Sequence, residues 1–148
     1  ITKIHFECHW MHKDDIPAFK QEFVDIGVEP LLKLGLETFD YNFRENVLMK
    51  GLDEKSPAKI AKYFDEINLL QGISGQTVES MIYDIDTGLK YFERVCVNIM
   101  IENGMPVKPD HQVIEQFMKE VYPRYIDNER VDILIENTDF GVGICHQP

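Results

Sequence analysis

The chain has little cysteine and no long apolar run, and each scarcity excludes something. Three cysteines in 148 residues, Cys8, Cys96 and Cys145, are too few and too odd for a disulfide scaffold and point to a reducing compartment. No stretch of the sequence approaches the length of an apolar transmembrane helix. The first residues carry His, Glu and Lys where a secretory signal needs an apolar core, so a cytoplasmic location is expected. Basic residues are also in short supply. Lys and Arg number 15 against 26 Asp and Glu, a net charge of −11. Such a surface repels phosphate backbones, and no nucleic-acid partner is expected.

What is present reads as an ordinary globular domain. Apolar residues make up 44% of the chain and charged residues 28%. No linker, repeat or low-complexity tract divides it, so residues 1–148 are taken as a single domain.

The first strand reads as Thr2 to Trp10. Ile4, Phe6, Cys8 and Trp10 alternate there with Lys3, His5, Glu7 and His9. A helix follows from about Asp15 to Val28, with Pro17 in its first turn and Phe19, Phe23 and Ile26 in a stripe. Pro30 blocks its continuation. Leu36 to Phe43 and Val47 to Leu52 read as a hairpin around Arg44-Glu45-Asn46. Ser56 caps a second helix with Pro57 at its first position and Ile60, Phe64, Ile67 and Leu70 on its apolar face. Thr77 to Ile85 and Lys90 to Ile101 read as paired strands turned by Asp86-Thr87-Gly88. A third helix begins near Asp110 and is stopped by Pro123. The last strand is Arg130 to Ile135, with an extension from Phe140 to Cys145. The order β-α-β-β-α-β then β-α-β predicts an α+β fold: a ferredoxin-like sheet extended at its C-terminal side, with helices mainly on one face.

Several strings resemble chemistry without supporting it. Asp86-Thr87-Gly88 spells an aspartic-protease tripeptide, but Asp and Gly are the residues a hairpin turn needs. Asp139-Phe140-Gly141 has none of the accompanying kinase elements. Gly72-Ile73-Ser74-Gly75-Gln76-Thr77 has no Lys and is read as a helix end leading into a strand, unlike a phosphate-binding loop.

The remaining candidate is His5-x-Glu7-x-His9. Alternate residues of a strand share a face, so two imidazoles and a carboxylate line the polar side of the first strand. These groups suit acid–base catalysis or a divalent metal such as zinc, manganese or iron. His5 and His9 are about 13 Å apart on a regular strand, so one ion needs a ligand from elsewhere. Asp40, Asn42, Cys96, Asn98 and His146 are the possible suppliers. Two functions follow. One is a small intracellular enzyme or ligand-binding domain using His5, Glu7 and His9, with His146, on a small molecule. The other is a non-catalytic acidic protein, an inhibitor, immunity-type protein or regulator, that binds a basic partner. A polar, half-covered sheet also suggests a homodimer. A concave pocket at the histidine strand separates the two functions from each other.

Overall fold

The computed structural model describes residues 1–136. Its strands are β1 (Lys3–Glu7), β2 (Glu29–Glu37), β3 (Glu66–Gln71), β4 (Arg94–Ile99) and β5 (Val131–Leu134). Its helices are α1 (Ile16–Asp25), α2 (Tyr41–Asn46), α3 (Pro57–Ile60), α4 (Val78–Tyr91), α5 (His111–Gln116) and α6 (Tyr122–Tyr125). The Phe140–Cys145 extension, Asp139-Phe140-Gly141 and His146 lie outside the described residues.

The five strands form one sheet in the order β1-β2-β3-β4-β5, and every neighbouring pair is parallel. This corrects the ferredoxin-like expectation, which needs antiparallel pairs. Right-handed crossovers between strands taken in sequence place every helix on the same side. Residues from α1, α3, α4, α5 and α6 accordingly share one core with Leu32, Leu34, Ile67, Leu69, Val95, Val97 and Val131. With helices on that side alone, the sheet curls into a half-barrel and leaves its other face concave.

The two expected hairpins are absent for identifiable reasons. The first was read across Leu36 to Leu52. Strand β2 instead begins before Pro30 and is buried along both faces, as a central parallel strand is. Glu29 N–H bonds Thr2 O, so the missing donor of Pro30 faces the β3 side, and β3 starts only opposite Lys33. Asp40 then caps α2, accepting from Phe43 N–H at 3.0 Å, where the sequence suggested strand and turn.

The second hairpin was read across Thr77 to Ile101. Its first half is α4, fixed by a capping box between Thr77 and Ser80. The buried positions of α4 are Met81, Asp84, Ile85 and Gly88, a helical spacing in which two members are not hydrophobic. Gly88 is required there. A Cβ on it would lie 2.7 Å from Val95 Cγ2 and 2.9 Å from Ile67 Cδ1. Asp86-Thr87-Gly88 is therefore mid-helix, not a turn.

Ser56 and Pro57 do start a helix, but α3 is one turn long. Ile60 and Phe64 pack in the core as the spacing implied, while Ile67 and Leu70 belong to β3. Pro123 does not end the third helix. A π-helical turn, Phe117–Val121, precedes it, and Pro123 enters the first turn of α6, where its missing N–H costs nothing. Among the described residues no helix is long and apolar enough to cross a membrane.

Candidate functional site

The concave face is built from the side chains that point away from the helices. Strand register sets them in rows. One row runs Glu7, Lys33, Glu66, Arg94 across β1 to β4. The next runs Gly35, Asn68, Cys96, Asp132 across β2 to β5. Opposite β3, Leu36 is an extra residue, and Glu37 takes a left-handed φ of 72° beyond it.

Most charges of the lower rows satisfy one another. Glu66 is buried and meets His5 Nδ1 at 3.2 Å and Lys33 Nζ at 3.8 Å. Arg94 grips Asp132 through two bonds of 2.7 Å, which holds the Asp132 carboxyl below the usual range. Asn68 Nδ2 donates to Glu7 Oε2 at 3.2 Å, and Asn68 Oδ1 is buried without a partner among the described residues.

Above these rows, toward the C-terminal ends of the strands, the face opens into a cavity of about 550 Å³. Glu7, Glu37, Lys50, Asn68, Cys96 and Asn98 supply its polar floor. Val47 to Met49, from the segment after β2, and Met105 to Val107, from the segment after β4, supply apolar walls. The volume lies in the range of small-molecule pockets, and a polar floor under apolar walls is their usual composition. Burial pushes the Cys96 thiol up to about 11, so it stands in the floor as S–H.

Gly35 leaves a bare spot in the middle of this floor. A Cβ there would sit 3.1 Å from Lys50 Nζ, 3.3 Å from Glu37 Oε1 and 3.7 Å from Glu7 Oε1. Lys50 Nζ donates to Glu37 Oε1 at 2.6 Å directly over it.

The structure separates the sequence candidates. Glu7 lies in the cavity; His5 lies below it, against Glu66. His9 is off the strand and caps the turn Trp10–His12. Its Nδ1 accepts from Met11 N–H at 3.2 Å, so Nε2 carries the proton and donates to Lys50 O at 3.3 Å. Neither ring nitrogen then has a free lone pair. Among the described residues no group of three His, Cys, Asp or Glu is arranged to hold a metal. Of the proposed suppliers, Cys96 and Asn98 line the cavity, Asp40 is a helix cap and Asn42 is exposed on α2; His146 lies outside the described residues.

Glu37, Lys50 and Asn68 were missed. Glu37 ends β2, Asn68 points inward from the middle of β3, and Lys50 lies in the segment between α2 and α3, positions that meet over one floor only once the strands are known to be parallel. The Gly72–Thr77 loop was also misread. It follows β3 and leads into α4, as a phosphate-binding loop would. Its own Gln76 fills the seat, however: Oε1 accepts from Gly72 N–H at 2.9 Å and Ile73 N–H at 3.2 Å.

Neither the protein-family models nor the curated proteins give a match to the chain. Among solved structures, the chain is similar to a queuine lyase from Clostridium spiroforme bound to SAM and queuine. The TM-score is 0.88 and the sequence identity 36% over 97% of this chain. The chain spans 61% of the length of that lyase. The likeness supports the all-parallel half-barrel, which resembles a radical-SAM-like fold.

Proposed function

We propose that the concave cavity binds a small heteroaromatic ligand of the queuine class, as the ligand-binding part of an enzyme that also uses SAM. The observation that carries this reading is the position of the cavity. It lies at the C-terminal ends of the strands in a half-barrel that is 36% identical to a lyase bound to SAM and queuine. A pocket of this kind also favours the ligand-binding reading of the sequence over the acidic interaction protein, which needs acid spread on a flat face.

The chemistry of the floor fits both molecules. Queuine has a guanine-like edge rich in N–H donors and a basic amine. SAM has an amino group and a ribose diol. Carboxylates accept from all of these, and the orphaned Asn68 Oδ1 beside Glu7 is a further acceptor. The apolar walls cover the faces of a flat ring. Glu7 and Asn68 are the residues that would hold SAM donors, and SAM when bound supplies an activated carbon–sulfur bond. Of the three acid–base candidates in the sequence, Glu7 is the one placed to exchange a proton with a ligand in the cavity, while His5 and His9 orient neighbours.

A reducing, intracellular location belongs to the same proposal, supported by the free thiols of Cys8 and Cys96. Strand β1 is an edge of the described sheet, which supports pairing with a further strand or a second copy.

Calorimetric titration of the chain with queuine and with SAM tests the reading. Queuine binding that is lost in Gly35→Val, with the melting temperature kept, is the expected result. Binding that survives Gly35→Val places the ligand elsewhere and overturns it.

A further inference from the structure

We propose that the Glu37–Lys50 pair reads the lactam edge of a guanine-type base, and that His9 and Arg44 are positioning residues that hold Lys50 in reading position. The inference rests on the cavity being the ligand site.

The pair lies over Gly35 with no side chain beneath it, and both members face the cavity. An ammonium has three donors, and Glu37 Oε1 takes one of them at 2.6 Å. A carboxylate offers lone pairs on both oxygens. The pair therefore shows a free donor and a free acceptor side by side. A lactam presents the complement: a carbonyl beside a ring N–H, joined in guanine-type bases by an exocyclic amine. Lys50 donates to the carbonyl, and Glu37 accepts from the N–H and the amine. An adenine-type edge reverses the order. It can meet the pair only turned over, with its amine on Glu37 and its ring nitrogen on Lys50, and it then has no second N–H for the carboxylate, so it forfeits one charge-assisted hydrogen bond.

Lys50 is held by its backbone from two directions. Its N–H donates to Arg44 O at 3.2 Å, and its carbonyl accepts from His9 Nε2 at 3.3 Å. The residues on either side, Met49 at φ 49° and Gly51 at φ 69°, are both left-handed, which fixes the turn that presents it. The Arg44 guanidinium is buried and donates to Thr38 O, Leu52 O and Glu54 O at 3.1, 3.1 and 2.7 Å. The Glu45 carboxylate receives Gly51 N–H and Leu52 N–H. Three stretches of chain, β1 with its turn, α2 and the segment leading to α3, thus meet at one lysine.

The test is calorimetric binding of queuine, 7-deazaguanine and 7-deazaadenine to the 148-residue chain and its variants. The wild type is expected to prefer 7-deazaguanine to 7-deazaadenine by about tenfold or more. Lys50→Met and Glu37→Gln should each erase that preference with thermal melts unchanged. His9→Ala should weaken 7-deazaguanine several-fold, and His9→Gln, whose amide can still donate to Lys50 O, should restore it. Arg44→Lys should lower the preference for 7-deazaguanine in the same direction as His9→Ala, through the loop that carries Lys50. Equal binding of the two bases by the wild type overturns the inference, as does a preference that survives both Lys50→Met and Glu37→Gln. If queuine binds and Gly35→Val abolishes it while that preference survives, only the edge reading fails. If no base binds, the proposed function fails with it.

Discussion

The two faces of the sheet are made from the same strands and obey opposite rules. On the convex face, Leu32, Leu34, Ile67, Leu69, Val95 and Val97 are almost fully buried under helices. Their neighbours one residue away, among them Lys33, Glu66, Asn68, Arg94 and Asn98, form the concave face, with charges paired in rows and a cavity above them. A period of two along each strand separates the two sets. One face supplies stability through apolar burial. The other contributes little net stability, because exchanging hydration for partly exposed ion pairs nearly balances. The convex face is therefore expected to fail by unfolding and the concave face by losing ligand.

Substitutions can break or sharpen that contrast. The largest effect is expected under the convex face. Phe64→Ala should cost about 3–5 kcal/mol in urea denaturation, since its ring is fully buried in the core and its removal leaves a cavity. A cost near zero would remove Phe64 from the core.

Asp84 is the exception within the convex layer, an ionisable group buried on α4. Burial, opposed by the Phe39 N–H and the Thr38 hydroxyl, raises its pKa from 3.8 to about 6. The folded chain then holds this proton more tightly than the unfolded chain. The stabilisation from Asp84 is fully present below pH 3.8 and is lost as pH rises through about 6. The span corresponds to about 3 kcal/mol. Stability of the wild type minus that of Asp84→Asn should fall between pH 4 and pH 7 by an amount of that order. A flat difference would show that the carboxylate is solvated.

Gly88→Ala should cost about 1–3 kcal/mol, because the added methyl collides with Val95 and Ile67 across the helix–sheet contact. Equal stability would mean that α4 can shift outward.

The smallest effect belongs to the concave face. Asn98→Ala should change stability by no more than about 0.5 kcal/mol while lowering queuine affinity, since its amide lines the cavity and has no hydrogen bond among the described residues. A large stability loss with unchanged affinity would place Asn98 in the structural layer.

Local signals were legible wherever a single residue carries them. Ser56 with Pro57, Asp110 and Pro17 mark helix starts that the structure keeps. The alternation of Val95, Val97 and Ile99 with Arg94, Cys96 and Asn98 divides β4 between the two faces. Helix α4 was not legible because its buried stripe includes Asp84 and Gly88, so hydropathy alone shows no helical period. Strand β2 was not legible because a strand buried on both faces has no alternation to detect. Of the candidate site, Glu7 was legible from its polar strand face. His9 was placed with it by spacing alone, but the chain turns after Glu7, and the imidazole becomes a cap and a loop anchor.

The sequence by itself determined the acidity of the domain, the caps that start several helices and the face on which each β4 residue lies. These depend on neighbours a few positions away, where propensity and periodicity act directly. Tertiary structure alone decided that the strands run parallel, and with that which residues the site brings together. Parallel pairing depends on contacts between residues dozens of positions apart. Only that pairing brings Glu7, Gly35, Asn68 and Cys96, from four different strands, to one floor, and only the loop held by Arg44 and His9 sets Lys50 above it.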